Sequence, residues 1–338
     1  RPLMIQASFI DHSKDEMVRE TINEIKTEVR RDKVQKVDLH GRIKLWSVMA
    51  DWNPAEIIGV SPSPLAADLY RHLVTDLTWA EQRCEVGYKD LRGVPLMRIF
   101  GGQAYIDVRA SLNSFLPSSL ESKTAKKLIN YALQKLNNNR ELHDKIEFEL
   151  IPTCVDFSIN DKLCILKNLG VLNTKEAEDY KKSLLSVTNL IINRVDSDIN
   201  FAANREKKWV NIKHPKAFTR DWLNETLNQC RQEGVKPFAH LARAGFVSAS
   251  FIRSAIEQDI LTKQRAERLT HSIAGIGSKM TEWAEKVKAN EITREVFIEY
   301  FGHLRPGTYD INFASYKDEP HLYIDPFLES ESSTKDIN

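Results

Sequence analysis

Residues 105–115 read YIDVRASLNSF, and this stretch decides the fold that the sequence predicts. The two-residue period of a β-strand places its apolar side chains on one face, which can enter a core. These side chains are Ile106, Val108, Ala110 and Leu112. The opposite face carries Asp107, Arg109, Ser111 and Asn113. The pattern therefore predicts a half-buried strand with one row of polar groups.

The polar row has two interpretations, and the sequence leaves both open. As the floor of a ligand site, Arg109 can bind a carboxylate through two parallel hydrogen bonds and Asp107 can bind an ammonium group. Ser111 and Asn113 can then contact an amide. Alternatively, the row is a half-solvated strand face whose charged side chains pair with their neighbours.

Two further stretches are predicted to complete a sheet with this strand. Residues 41–50, GRIKLWSVMA, are rich in strand formers, and residues 145–157, KIEFELIPTCVDF, begin by alternating apolar and acidic side chains. If the stretch 145–157 pairs with the strand predicted at 105–115, Arg109 faces Glu147 or Glu149 across the sheet. We predict a helix-rich α+β fold, with a small, mostly antiparallel sheet formed by about 42–50, 105–115 and 146–157.

The stretch DWNPAEIIG at 51–59 follows the strand predicted within residues 41–50. Asn53 is expected to cap a short helix that begins at the following proline and carries Glu56 in its first turn. The stretch is equally consistent with a ligand-binding loop at the end of a strand. In that case Asp51, Asn53 and Glu56 supply polar groups, and Trp52 supplies an apolar wall.

Helical periods of apolar residues predict that most of the remaining chain is helical. The predicted helices cover about 13–31, 65–83, 118–136, 160–170, 174–194, 219–233, 239–259, 262–290 and 293–302. Residues 87–102 are predicted to be rich in loops, and the polar stretch 193–213 to be a loop or a boundary between lobes. His240 and Arg243 share a helix face, where they contact a phosphate or carboxylate or are exposed polar residues.

A turn follows the last predicted helix, in the stretch LRPGTYDI at 304–311. Arg305, Thr308, Tyr309 and Asp310 cluster around this turn. Because such a cluster is unusual for plain packing, these four residues are candidates for ligand contact.

The composition excludes several classes of protein. The chain has 338 residues with 48 basic and 47 acidic side chains, and its net charge of +1 gives no electrostatic basis for binding nucleic acid or an anionic membrane. No apolar run approaches the roughly 20 residues of a membrane-spanning helix. The four cysteines and nine histidines show no metal-ligand spacing, so no metal site is predicted. Without a signal peptide, the protein is expected to be cytoplasmic with free thiols.

Four stretches together resemble one enzyme family: 51–59, 105–115, 146–157 and 304–311. They are similar to the central region of phosphoenolpyruvate synthase-like enzymes found in bacterial surface-polysaccharide gene clusters. Within that family, the resemblance points to the L-glutamine kinases of capsular phosphoramidate biosynthesis.

This resemblance implies a three-part enzyme, in which an ATP-grasp domain, a central substrate domain and a small domain with a phosphorylated histidine follow one another. Residues 1–40 are then expected to be a linker and helix after the ATP-grasp domain, 41–325 the central substrate-binding domain and 326–338 a disordered tail. We expect this fragment to bind the phosphoryl acceptor and no cofactor, whereas the full-length enzyme uses ATP and Mg²⁺.

The resemblance also implies the reaction. The β-phosphoryl group of ATP passes to the histidine and then to the amide nitrogen of L-glutamine, which leaves AMP and phosphate. Arg109 is expected to hold the α-carboxylate of the substrate, and Arg305 the transferring phosphoryl group. The carboxylates expected to accept the amide proton are Asp51, Glu56, Asp107 and Glu149.

Two other interpretations stay open. The chain can be a helical docking or scaffold module between the ATP-grasp and phosphohistidine domains, or part of the same type of kinase with a different acceptor. A concave pocket lined by the four stretches favours substrate binding, whereas a continuous exposed apolar patch favours docking.

Overall fold

The computed structural model describes residues 14–34, 38–209, 219–272, 275–305 and 314–329. The chain forms two compact units, Arg1–Ile260 and Leu261–Asn338. The sequence placed a possible boundary near 193–213 instead. Residues 193–209 are not a loop, because they continue a long helix, Thr174–Trp209. The polar side chains of residues 193–205 in this helix are mostly exposed.

The first unit is helix-rich, with one small sheet. Its strands are β1 (Trp46–Ser47), β2 (Met97–Phe100) and β3 (Gln103–Asp107). Its helices are α1 (Lys14–Val34), α2 (Pro54–Ile57), α3 (Pro64–Tyr70), α4 (Thr78–Glu85), α5 (Val108–Ser114), α6 (Ser122–Asn138), α7 (Ile146–Glu149), α8 (Ile159–Asn168), α9 (Thr174–Trp209), α10 (Arg220–Gln229) and α11 (Lys236–Glu257). Two π-helical turns, Arg71–Thr75 and Cys230–Val235, connect α3 towards α4 and α10 to α11.

The sheet confirms the predicted α+β class but not all of the predicted strands. Its order is β1-β3-β2 and both pairings are antiparallel. β2 lies in the stretch that the sequence analysis predicted to be rich in loops. Gly101 and Gly102 connect β2 to β3 with φ angles of 55° and 75°, which suit the two-residue turn of a tight hairpin.

The prediction of one strand over 105–115 is wrong. β3 ends at Asp107, whose carboxylate accepts the backbone N–H of Ala110 at 3.0 Å and caps α5. Arg109, Ser111 and Asn113 therefore lie on a helix and share no strand face with Asp107. Because α5 is buried on nearly all sides, its sequence lacks the polar stripe that usually marks a helix.

The predicted strand at 146–157 is also wrong. The short helix α7 occupies its start, and the backbone beyond bonds to side chains instead of a neighbouring strand. The Tyr88 hydroxyl donates to the carbonyl of Thr153 at 2.6 Å, and the Thr188 hydroxyl accepts the N–H of Val155 at 2.9 Å. These bonds satisfy buried backbone groups without a sheet. The predicted pairing of Arg109 with Glu147 or Glu149 across a sheet is therefore wrong.

Side-chain caps explain where several helices begin. Asn53 caps α2 as predicted, because its side chain accepts the N–H of Glu56. Asn173 and Glu176 form a reciprocal capping box at the start of α9, with bonds of 2.8 and 2.9 Å. β3, α5 and α6 then enclose the main core, in which Ile106, Leu112 and other apolar side chains are completely buried.

The second unit consists of short helices: α12 (Lys263–Ser272), α13 (Ile276–Lys288), α14 (Arg294–Phe301), α15 (Pro320–Tyr323) and α16 (Asp325–Glu329). Phe297 and Phe301 are fully buried in its separate core, and Arg294 pairs with Asp325 at 2.6 Å. Residues 326–329 belong to α16, so the predicted disordered tail is wrong for that part. Across the described ranges, no helix has the length and apolarity to cross a membrane.

Candidate functional site

The first unit contains a cleft of about 240 Å³, which we call the central cleft. Its walls come from the 51–57 segment, α4, the residue after α5, α7 and α11. The polar lining residues are Asp51, Asn53, Gln82, Arg83, Glu147 and Arg243. The apolar lining residues are Trp52, Ile57, Phe115, Phe238, Ala239, Ala242 and Phe246.

A buried ion pair forms one wall of the central cleft. Arg83 on α4 donates two hydrogen bonds to the Asp51 carboxylate, at 2.8 and 2.6 Å, and a third to the Ser114 hydroxyl at 2.5 Å. The Ser111 hydroxyl donates to the same carboxylate at 2.6 Å. The Asp51 charge is therefore fully engaged, and its expected role as a proton acceptor does not fit this geometry.

The loop that carries Asp51 is strained. Asp51, Trp52 and Asn53 have consecutive positive φ angles of 30°, 48° and 26°, which residues other than glycine rarely adopt. The hydroxyl of Tyr70 donates to the carbonyl of Trp52 and helps to hold this conformation. Strain of this kind persists only where the surroundings enforce it, and it concentrates at functional sites. This stretch is thus both the capped turn and the cleft loop that the sequence left as alternatives.

Arg243 is the second arginine of the central cleft. Its Nε and Nη2 donate to the Tyr88 hydroxyl at 3.1 and 2.6 Å, and Nη2 also donates to the Thr153 hydroxyl at 2.8 Å. Its guanidinium carbon lies 5.0 Å from the ring centre of Phe115, and that of Arg83 lies 4.0 Å from the same centre. Two guanidinium groups thus contact one aromatic ring.

Glu147 on α7 supplies a carboxyl group that can exchange a proton near neutral pH. Burial raises its pKa from the ordinary 4.5 to about 7, and the nearby Asp51 carboxylate adds to the rise. Arg83 and Arg243 oppose it. A perturbed carboxyl group in a cleft is a candidate general acid or base.

Several predicted site residues lie outside the lining of the central cleft. Glu56 is exposed and accepts the side-chain amide of Asn53 at 2.7 Å, whereas Glu149 is exposed and lies 3.4 Å from Arg253. Asp107 caps α5 and is not available as a base. These three carboxylates are therefore poor candidates for the proton acceptor.

Asn113 and Arg109 have structural surroundings. The Asn113 side chain accepts the N–H of His40 at 2.8 Å and donates to the His40 carbonyl at 2.9 Å. Arg109 is half-buried near Lys44, whose pKa is lowered to about 8 by burial and by the Arg109 charge. The expectation that Arg109 holds a substrate carboxylate is not supported by this position.

His240 and Arg243 are both buried, so the interpretation as exposed polar residues is wrong. His240 lines a second cleft of about 500 Å³, where its Nε2 lies 2.9 Å from the Glu85 carboxylate. Burial lowers the pKa of His240, and the positive charge of Arg194 adds to this effect. His240 is linked to the central cleft by Gln82, whose amide lies 3.3 Å from its Nδ1.

The stretch 304–311 is largely beyond what the structure describes. Thr308, Tyr309 and Asp310 lie outside the described residues, and Arg305 belongs to the second unit. Within the described ranges, no group of three or more acidic, histidine or cysteine side chains could hold a metal ion.

The site residues predicted from the sequence did not include Arg83, Gln82 or the aromatic residues of α11. Arg83 lies within a helical stretch where a charged side chain normally indicates a solvated face. Comparisons with protein-family models, curated proteins and solved structures gave no match for this chain.

Proposed function

We propose that this chain is the substrate-binding part of a phosphohistidine-dependent kinase that phosphorylates the amide nitrogen of L-glutamine. The observation that carries the proposal is the convergence of three of the four family-like stretches on one cleft. Residues 51–59 contribute Asp51, Trp52 and Asn53, residues 105–115 contribute Phe115, and residues 146–157 contribute Glu147. A docking module would need no such cleft.

The central cleft has the chemistry that a small amide substrate requires. Its apolar walls can contact the methylene groups of the substrate, and its few polar side chains can orient the polar ends. An amide nitrogen is a weak nucleophile, so a group that accepts its proton assists the transfer.

In this proposal Glu147 accepts that proton. The bond between phosphorus and the donor histidine breaks, a bond between phosphorus and the amide nitrogen forms, and the amide proton moves to the Glu147 carboxylate. A pKa of about 7 leaves a large ionised fraction at neutral pH while keeping the carboxylate basic. The cleft also holds the substrate in position for in-line attack.

The parent enzyme would supply the remaining chemistry. The ATP-grasp and phosphohistidine domains would generate the phosphoryl donor from ATP, with Mg²⁺ bound outside this chain's described residues. The proposed setting is the cytoplasm, where the product would serve capsule polysaccharide modification. L-glutamine is the proposed acceptor, and related amino acids or amides are the comparators.

Isothermal titration of the 338-residue chain with L-glutamine tests this proposal. L-glutamate, L-asparagine and pyruvate are the comparison ligands. Ala242→Trp fills the cleft from α11, and Ala203→Trp makes the same change at an exposed position of α9 as the matched control. We expect selective L-glutamine binding that Ala242→Trp abolishes and Ala203→Trp preserves. Equal binding by both variants would show that the central cleft is not the site.

A further inference from the structure

Arg243 is a buried cation without an acidic partner. Its residue is only 4% exposed, and among the residues that the structure describes no carboxylate lies within 4.0 Å of its guanidinium nitrogens. Arg83, which is 5% exposed in the same cleft, pairs with both oxygens of Asp51. Burying an unpaired charge is unfavourable, and buried charges are therefore normally paired.

The hydrogen bonds of Arg243 leave one nitrogen unused. Nε and Nη2 bind the Tyr88 hydroxyl, and Nη2 also binds the carbonyl and hydroxyl of Thr153. All of these acceptors are neutral. Nη1 has no acceptor among the described residues, and the Arg243 side chain lines the central cleft.

No neighbouring group forms an ion pair with Arg243, although the Glu147 carboxyl attracts its charge from a greater distance. The ring of Phe115 contacts the guanidinium and compensates it only in part. Glu147 is linked to Arg243 through Thr153, whose hydroxyl accepts from Arg243 and donates to the Glu147 backbone carbonyl at 3.1 Å. The Glu147 carboxyl itself makes no ion pair with Arg243.

We infer that Arg243 is an anion subsite of the central cleft and that its Nη1 donates to a carboxylate or phosphoryl oxygen of a small ligand. A planar guanidinium with a free N–H edge suits either group. The anion completes the ion pair that the protein leaves open. The anion is either the L-glutamine carboxylate or an incoming phosphoryl group. Its assignment as the L-glutamine carboxylate rests on the proposed function.

Titrations of the 338-residue chain with inorganic phosphate, L-glutamine and L-glutaminamide distinguish the two sources. L-glutaminamide lacks the carboxylate but keeps the side-chain amide. If the carboxylate binds Arg243, L-glutaminamide binds roughly tenfold to a hundredfold more weakly than L-glutamine. If a phosphoryl group binds there, phosphate binds, and the two amino-acid ligands bind equally well.

Arg243→Gln should remove anion binding, whereas Arg253→Gln on the same helix is the matched control and should preserve it. Arg253 is half-exposed and does not line the central cleft. Ala239→Glu is a second variant in case Arg243→Gln does not fold. It places a carboxylate four residues before Arg243 on α11 and supplies the missing partner, so it should also abolish anion binding.

Wild-type affinity for phosphate or for the L-glutamine carboxylate in a folded Arg243→Gln or Ala239→Glu variant would overturn the inference. So would a wild-type chain that binds neither probe. Phosphate binding that depends on Arg243, without any L-glutamine binding, would support the anion subsite and contradict the proposed function. L-glutamine binding that is unaffected by Arg243→Gln, without phosphate binding, would do the reverse.

Discussion

Replacing Glu147 by glutamine should change how stability depends on pH. The carboxyl group has an ordinary pKa of 4.5 and a pKa of about 7 in the folded chain, chiefly because it is buried. Between these values the unfolded chain has released the proton and the folded chain retains it. Stability from this group is therefore present at low pH and is lost as pH rises through about 7.

The linkage relation gives the size of this loss. With pKa values of 4.5 and about 7, ionisation of Glu147 lowers the free energy of unfolding by about 1 kcal/mol at pH 5 and by about 3 kcal/mol at pH 8. Glutamine has nearly the same shape and does not ionise. The wild-type chain should thus lose about 2 kcal/mol relative to Glu147→Gln between pH 5 and pH 8.

Urea unfolding followed by tryptophan fluorescence measures this difference at both pH values. The other groups that titrate in this pH range affect the wild-type chain and Glu147→Gln alike, so their contributions cancel in the difference between the two free energies of unfolding. Glu149→Gln is the matched control, because Glu149 is exposed two residues further along the chain and should leave the wild-type pH dependence intact. The same free-energy difference between wild type and Glu147→Gln at pH 5 and pH 8 would refute the raised pKa.

Three further predictions concern the support of the central cleft. Arg83→Met should lower the free energy of unfolding by about 3–5 kcal/mol, because it leaves the buried Asp51 carboxylate without its cation. In urea titrations, adding Asp51→Asn to this variant should recover part of the loss, and a loss well below about 3 kcal/mol for Arg83→Met would contradict the prediction. Asn53→Ala should destabilise the chain by about 1 kcal/mol, because it removes the cap of α2. Asn53→Gly should cost less, since glycine suits the positive φ of 26°, and the reverse order in thermal unfolding would count against strain in this loop. Asn113→Ala should destabilise the chain by about 1–3 kcal/mol, because it removes the hydrogen bonds to the His40 backbone. The affinity for L-glutamine should stay unchanged, and weaker binding by a folded variant would restore Asn113 as a ligand contact.

The helices and part of the site could be predicted because their signals are local. Asn53 caps α2 within three residues, and the apolar periods of α6 and α11 follow directly from the sequence. The 51–53 segment also combines an aromatic, a carboxylate and an amide at a turn, which is typical of a binding loop.

Other features depend on contacts that are distant in sequence. Arg83 becomes a buried cleft residue only because Asp51, 32 residues earlier, folds against it. The alternation in 105–115 fits a strand equally well, whereas in the structure β3 ends at Asp107 and α5 is buried in the main core with residues far away in the sequence. Glu147 was predicted on a strand face, yet it reaches the cleft from α7, because tertiary packing overrides the local alternation.

The most direct test of the central claim is a crystal structure of this chain grown with L-glutamine. We predict electron density for the ligand in the central cleft, with its side-chain amide nitrogen within hydrogen-bond distance of the Glu147 carboxyl group. Density at another surface, or an empty central cleft at ligand concentrations that saturate binding in solution, would contradict the account.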